Sequence, residues 1–209
     1  MKKYALGCGG LVILLVLIVF LGGCSSYNGL VGVSQEVDKQ WAQVQNVYQR
    51  RADLIPNLVN TVSGAANFEK STLAEVVQAR ASVGQVKLDA NQAPATAQDL
   101  AKFEQAQGQL SSALSRLLIV VERYPDLKAS ANFRDLQAQL EGTENRITVE
   151  RQRFNEAVQR NNTAVKRFPA LLYAGALGFQ AKPYFAAKEG AETPPKVDFD
   201  FGKPAPAKP

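Results

Sequence analysis

The chain has 209 residues, 46% apolar and 21% charged, with no histidine and two cysteines, both within the first 24 positions. This is the size of one ordinary globular domain; it excludes a large multidomain enzyme, His-based catalytic triads and nearly every metal centre built on histidine or cysteine. Setting Lys2 and Lys3 aside leaves 22 basic residues against 19 acidic ones, with the signs mixed along the chain, which is not the one-faced basic stripe with aromatic platforms that nucleic acid requires.

No charged residue follows Lys3 until Glu36, and Leu11–Leu21 is an unbroken run of Leu, Val, Ile and Phe. As a helix, Tyr4–Cys24 reaches about 31 Å at about 1.5 Å per residue, the thickness of a hydrocarbon core. Lys2 and Lys3 precede the run and the next basic residue is Lys39, so the positive-inside rule predicts a cytoplasmic start and an extracytoplasmic remainder. The same segment has the layout of a secretory signal. Its end, Leu21-Gly22-Gly23-Cys24, matches a lipobox and makes Cys24 a candidate lipidated residue. Both readings predict a tether over residues 1–26. Cys8, among glycines, falls too early for processing and reads as a packing residue in lipid.

Past the tether the apolar residues recur with a helical period. Val37, Trp41, Val44, Tyr48, Arg51, Ile55, Leu58 and Val62 step by alternating four and three, and only Arg51 is polar. A 3.5-residue seam predicts a helix packed nearly parallel to its neighbours in a bundle. Pro56 lies inside it; the seam stays in phase across the proline, which predicts a bend and not a stop. Asn67, or the pair Thr72 and Glu75, offers a start for a shorter second helix carrying Phe68, Leu73, Val76, Val77 and Val83. Leu88–Ala97 reads as a loop. Thr96 with Asp99 then caps a third helix with the seam Leu100, Phe103, Gln107, Leu110, Leu114, Leu117, Val121 and Tyr124, ended by Tyr124-Pro125. The fourth runs from about Asn132 to Phe168 with the seam Phe133, Leu136, Leu140, Thr143, Ile147, Glu150, Phe154, Ala157, Asn161, Ala164 and Phe168, and Pro169 closes it.

The fold expected is therefore all-α: a long antiparallel up-down bundle of about four helices over residues 27–180, behind the membrane anchor. Residues 181–209 form an extended, partly disordered tail, in which Val197, Phe199 and Phe201 at most dock as an edge segment. An even number of helices returns the chain to the membrane, which places Pro169–Phe179 near the bilayer surface.

The motifs Tyr27-Asn28, Gln49–Val59 (QRRADLIPNLV), Arg123–Lys128 (RYPDLK) and Glu141–Ile147 (EGTENRI) occur in one order along the chain. Together they resemble the LemA family, and the resemblance extends from about Tyr27 through Lys182-Pro183-Tyr184-Phe185 to Phe199. It implies a bacterial, membrane-tethered α-helical protein with no established enzymatic activity. One position departs: where the family places an aromatic residue before an asparagine near the end of the last helix, this chain has Asn161-Asn162.

No catalytic, metal or cofactor set emerges from the residues, and the chain reads as a non-enzyme. Glu141, Glu144 and Glu150 suggest a carboxylate metal site, but the di-iron pattern needs a Glu-x-x-His pair, and a solvated helix face is the reading adopted. Arg51, on the core seam, requires an acid of the last helix, Glu144 or Glu150, as compensation, while Arg50 and Asp53 are spaced to pair on the flank. Leu117–Val121 is apolar at five successive positions, more than one helix face needs, so Ile119 and Val120 are candidate self-association residues. The function expected is a membrane-tethered structural or interaction protein of the bacterial cell envelope that assembles with itself or with other envelope proteins. The alternative is a sensor module binding a small ligand or peptide.

Overall fold

A computed structural model describes the backbone of residues 2–65, 68–86 and 92–186, with side chains from residue 22 onward. These residues form α1 (Lys2–Ser63), α2 (Lys70–Gln85), α3 (Ala97–Val121), α4 (Pro125–Ala129) and α5 (Ala131–Lys166), followed by a 3-10 turn at Ala170–Leu172. No strand occurs among the described residues. Among them, too, no helix is long and apolar enough to cross a membrane; the backbone of Leu11–Leu21 is part of α1, but the side chains of the expected span lie outside the description. So do the tail residues Val197, Phe199 and Phe201.

Contacts between named side chains set the topology. Arg51 meets Glu144, and Tyr27 meets Phe179, so α1 and α5 run antiparallel. Arg116 and Arg123 reach back to Glu75 and Glu69, which makes α2 and α3 antiparallel as well. The result is an up-down-up-down arrangement of four long helices. All eight seam positions of α1 are buried, Val37, Trp41, Val44, Leu58 and Val62 completely. The core falls into three clusters along the axis. The distal one gathers Ile55, Leu58, Val76, Leu110, Leu117 and Phe133; the central one is aromatic, with Trp41, Tyr48, Phe103, Phe154 and Phe185; a small proximal one joins Leu30 to Ala170 and Ala174.

Helix boundaries follow local chemistry. Thr96 accepts from the Asp99 amide at 3.1 Å and donates to the Asp99 carboxylate at 2.8 Å, closing the start of α3. α2 begins at Lys70, two residues before Thr72, which lies inside it and donates to Glu69 at 3.3 Å. Pro125, read from sequence only as a stop, is also the first residue of α4, where a missing N–H costs nothing. Ser130 then caps α5 by accepting from Phe133 N at 3.3 Å. α5 stops at Lys166, and Phe168, expected on the buried seam, is 80% exposed, because the residue before Pro169 is driven from the helical region.

α1 continues through Pro56. The proline has no N–H for the Ala52 carbonyl, and Arg80 of α2 supplies the missing donor, its Nε lying 3.0 Å from that oxygen. Arg80→Ala is expected to cost about 1 kcal/mol. In a Pro56→Ala background, which restores the backbone donor, most of that cost disappears; denaturation of the four chains of this cycle measures the coupling.

Beyond α5, residues 179–186 lie extended along its side, held by asparagines. Asn162 Oδ1 accepts from Lys182 N at 2.8 Å and its Nδ2 donates to Lys182 O at 2.9 Å. Asn155 grips Phe185 in the same way, at 2.9 and 3.1 Å, and Asn161 donates to Gln180 O at 3.1 Å. Each side-chain amide acts as a short piece of ladder for the passing backbone. Phe185 is thereby inserted into the aromatic cluster, 5.3 Å from Phe154 and 6.2 Å from Trp41 between ring centres. Asn162→Ala is expected to lose about 1–3 kcal/mol and to raise amide exchange at Lys182 before it does so in α3.

Candidate functional site

A polar recess of about 1000 Å³ opens where α1, α3 and α5 meet beside residue 186. Its floor is Arg51, placed on the buried face of α1 by the same spacing that buries Tyr48 and Ile55. The guanidinium Nη1 donates to Ser111 Oγ at 2.9 Å and to Glu144 Oε2 at 3.0 Å. Nη2 donates to the Gln107 carbonyl at 3.4 Å and also to the Gln107 side chain. Gln107 is the polar position of the α3 seam, so two seam irregularities from different helices answer each other. The Tyr48 ring lies 5.0 Å from the guanidinium carbon, and burial pushes its hydroxyl pKa up.

A second pair forms the rim. Arg151 donates to Glu104 at 2.5 Å and to Ala186 O at 3.3 Å, with its guanidinium 4.4 Å over the Phe185 ring. Burial raises the Glu104 carboxyl pKa, and Arg151 opposes that rise. The recess therefore holds two cations and two carboxylates already bonded to one another, and only Arg51 Nε is left buried without a partner.

The residues singled out from sequence are distributed unevenly about this recess. Arg51 and Glu144 meet in it. Glu150, although buried, does not join them; its Oε1 accepts from Arg153 at 2.9 Å and its Oε2 has no partner. The solvated-face reading thus suits the exposed Glu141, which accepts from Gln137, but not Glu150. Asp53 accepts from Gln49 at 2.7 Å, one turn back. Ile119 is 69% exposed near the distal end, whereas Val120 is half-buried against the distal core. Cys24 is exposed on α1 as a free cysteine. Glu104 and Arg151 gave no sequence signal, since both lie off their seams and 47 residues separate them. Among the described residues no three His, Cys, Asp or Glu side chains gather as a metal-ligand set.

The profile of the LemA family matches residues 40–199. Magnetosome protein MamQ of Magnetospirillum gryphiswaldense is 24% identical over 190 residues, covering 80% of this chain and 67% of that protein. Magnetosome protein MamQ 1 of Paramagnetospirillum magneticum is 25% identical with the same coverage of both chains. Protein LemA of Metamycoplasma hominis is 23% identical over 162 residues, covering 78% of this chain and 69% of that protein.

Proposed function

Since this chain belongs to the LemA family, we propose that it is a membrane-tethered scaffold of the bacterial cell envelope, which presents its helical bundle outside the cytoplasm for assembly with itself and with other envelope proteins. One observation carries the reading: α1 is a single helix from Lys2 to Ser63, so the apolar N-terminal run and the central helix of the bundle are one element with no linker between them. A scaffold needs this kind of fixed presentation, whereas a catalytic domain on a tether does not. The MamQ relatives are named as magnetosome proteins, a name that gives a location and is in keeping with a structural role.

Protease added to spheroplasts is the test. The bundle is expected to be digested in intact spheroplasts; protection until lysis reverses the topology. Intact-mass measurement separates the two anchors, since a lipidated chain starting at Cys24 means cleavage and an unmodified chain starting near Met1 means a span. Ile119 is the exposed apolar side chain on which copies are expected to meet. Mass photometry of the full chain in detergent checks this, and a strictly monomeric species unaltered by Ile119→Lys removes self-association from the proposal.

The recess around Arg51 is where a sensor would take its ligand. Its charges are closed onto one another in the Arg51–Glu144 and Arg151–Glu104 pairs, so an entering ligand must replace bonds already made. That weighs toward a structural role.

A further inference from the structure

The end of the bundle next to the apolar run carries chemistry that neither the core nor the recess uses. A groove of about 580 Å³ separates α1 from the end of α5 there. Gly29, Leu30 and Val33 form its α1 wall; Arg160, Thr163 and Arg167 are polar groups facing it from the other side. Immediately beside it Phe168, Leu171, Leu172 and Leu177 are 80, 63, 75 and 51% exposed. This exposure is built and not frayed. The turn that holds these side chains is fastened to α1 by a hydrogen bond from the Tyr173 hydroxyl to Ser26, by Tyr27 packing edge-on to Phe179 at 5.6 Å, and by Ala170 and Ala174 buried on Leu30.

Charge and position identify what covers this surface. Across residues 22–35 and 157–186 there are four basic residues, Arg160, Lys166, Arg167 and Lys182, and no acid. Lys182 is turned away to the Ala93 carbonyl at 3.4 Å, which leaves three cations at the surface. Lys166 complements the partial negative charge at the end of α5, but Arg160 lies nearly two turns earlier and Arg167 beyond the helix. The first acid along α1, Glu36, is bonded to Gln40 at 2.7 Å and Lys39 at 3.3 Å, and feels Arg160 only as the weakest of the charges that lower its pKa. Ser26, to which the turn is fastened, follows Leu21 by five residues, about 7.5 Å along the helix. When the run occupies the hydrocarbon, that is the outer part of a headgroup layer about 5–7.5 Å deep. Aromatic and aliphatic side chains flanked by Arg and Lys are what that layer takes up.

We propose that this groove binds an acidic phospholipid headgroup, with Arg160 and Arg167 contacting its phosphate while Phe168, Leu171 and Leu172 enter the bilayer surface beside it. The inference rests on the tether reading above and adds a lipid class and a site to it. A basic residue beside an anionic surface favours binding by about fivefold, so the two arginines together confer a clear preference for acidic over neutral lipid.

The test uses the full chain carrying Leu172→Trp, reconstituted into phosphatidylcholine vesicles in which a minor component is brominated phosphatidylglycerol or, in parallel, brominated phosphatidylcholine. Trp41 is fully buried and about 16 Å beyond Leu30 along α1, so it is a constant background. The expected result is flotation with the vesicles and stronger quenching by the brominated phosphatidylglycerol. The difference is lost in Arg160→Gln/Arg167→Gln, and quenching is absent for Ile119→Trp at the far end. Flotation with equal quenching by the two lipids overturns the headgroup site and leaves the tether standing. Flotation without quenching, together with crosslinks between copies at position 172, assigns the surface to a second chain and also overturns it. A chain that does not float overturns the tether and the site together.

Discussion

Alanine at position 41 is expected to lower the unfolding free energy by about 3–5 kcal/mol, the largest effect of any single truncation in this chain. Trp41 is completely buried. Its ring contacts Phe103 of α3 at 5.2 Å, Phe154 of α5 at 5.6 Å and Phe185 of the extended strap at 6.2 Å. These partners come from three separate segments, so collapse around the lost indole is opposed from three directions, and the cavity stays open. Equilibrium denaturation of the full chain in detergent measures the loss. An unchanged midpoint would mean that the aromatic cluster does not hold the bundle together.

Arg51→Ala is expected to cost about 3 kcal/mol, the lower end of the range for a broken buried ion pair. The two partners are unequal: the arginine side chain is 2% exposed and that of Glu144 is 56% exposed. Without Arg51, Glu144 simply hydrates, and the penalty comes from the cavity and from the Gln107 and Ser111 oxygens left without a donor. Arg51→Met fills the space and should recover part of the loss. Glu144→Ala leaves a buried guanidinium with neutral partners only and should therefore be more damaging than Arg51→Met. If Arg51→Met is instead the worse of the two, the charge and not the packing of Arg51 is what the bundle requires.

The four long helices were legible because a buried helix face writes a period into the chain. Each residue of the α1 seam from Val37 to Val62 is buried, and so is the α3 seam from Leu100 to Val121. α2 was read less well: Val77 is 52% exposed and Ala79 is buried in its place, since small residues on a short helix give little contrast. α4 was missed because Pro125 both ends one helix and begins another. The site was only half visible. Arg51 stood out as a charge on an apolar seam, and Gln107 as its polar counterpart on α3, but nothing near Arg80 announces that it serves the carbonyl freed by Pro56. The strap was hidden for a related reason. Asn155, Asn161 and Asn162 bind backbone atoms, which every residue has, so their partners leave no trace in side-chain pattern.

The unbroken course of α1 has a consequence for heading as well as for reach. Because no hinge separates the apolar run from Ser26, the azimuth of the bundle relative to that run is fixed by the number of residues between them. An α-helix turns about 100° per residue, so deleting Gly23 would swing the Tyr173 and Phe179 contacts, and everything beyond, about 100° around the axis, whereas inserting seven residues would return them to within about 20°. With the run in a membrane, as proposed, neighbours meeting this bundle in the membrane plane would be selected by rotational phase, which the short Gly22–Ser25 segment sets. Crosslinking to such neighbours should follow insertion length with a periodicity of about 3.6 residues and not length itself.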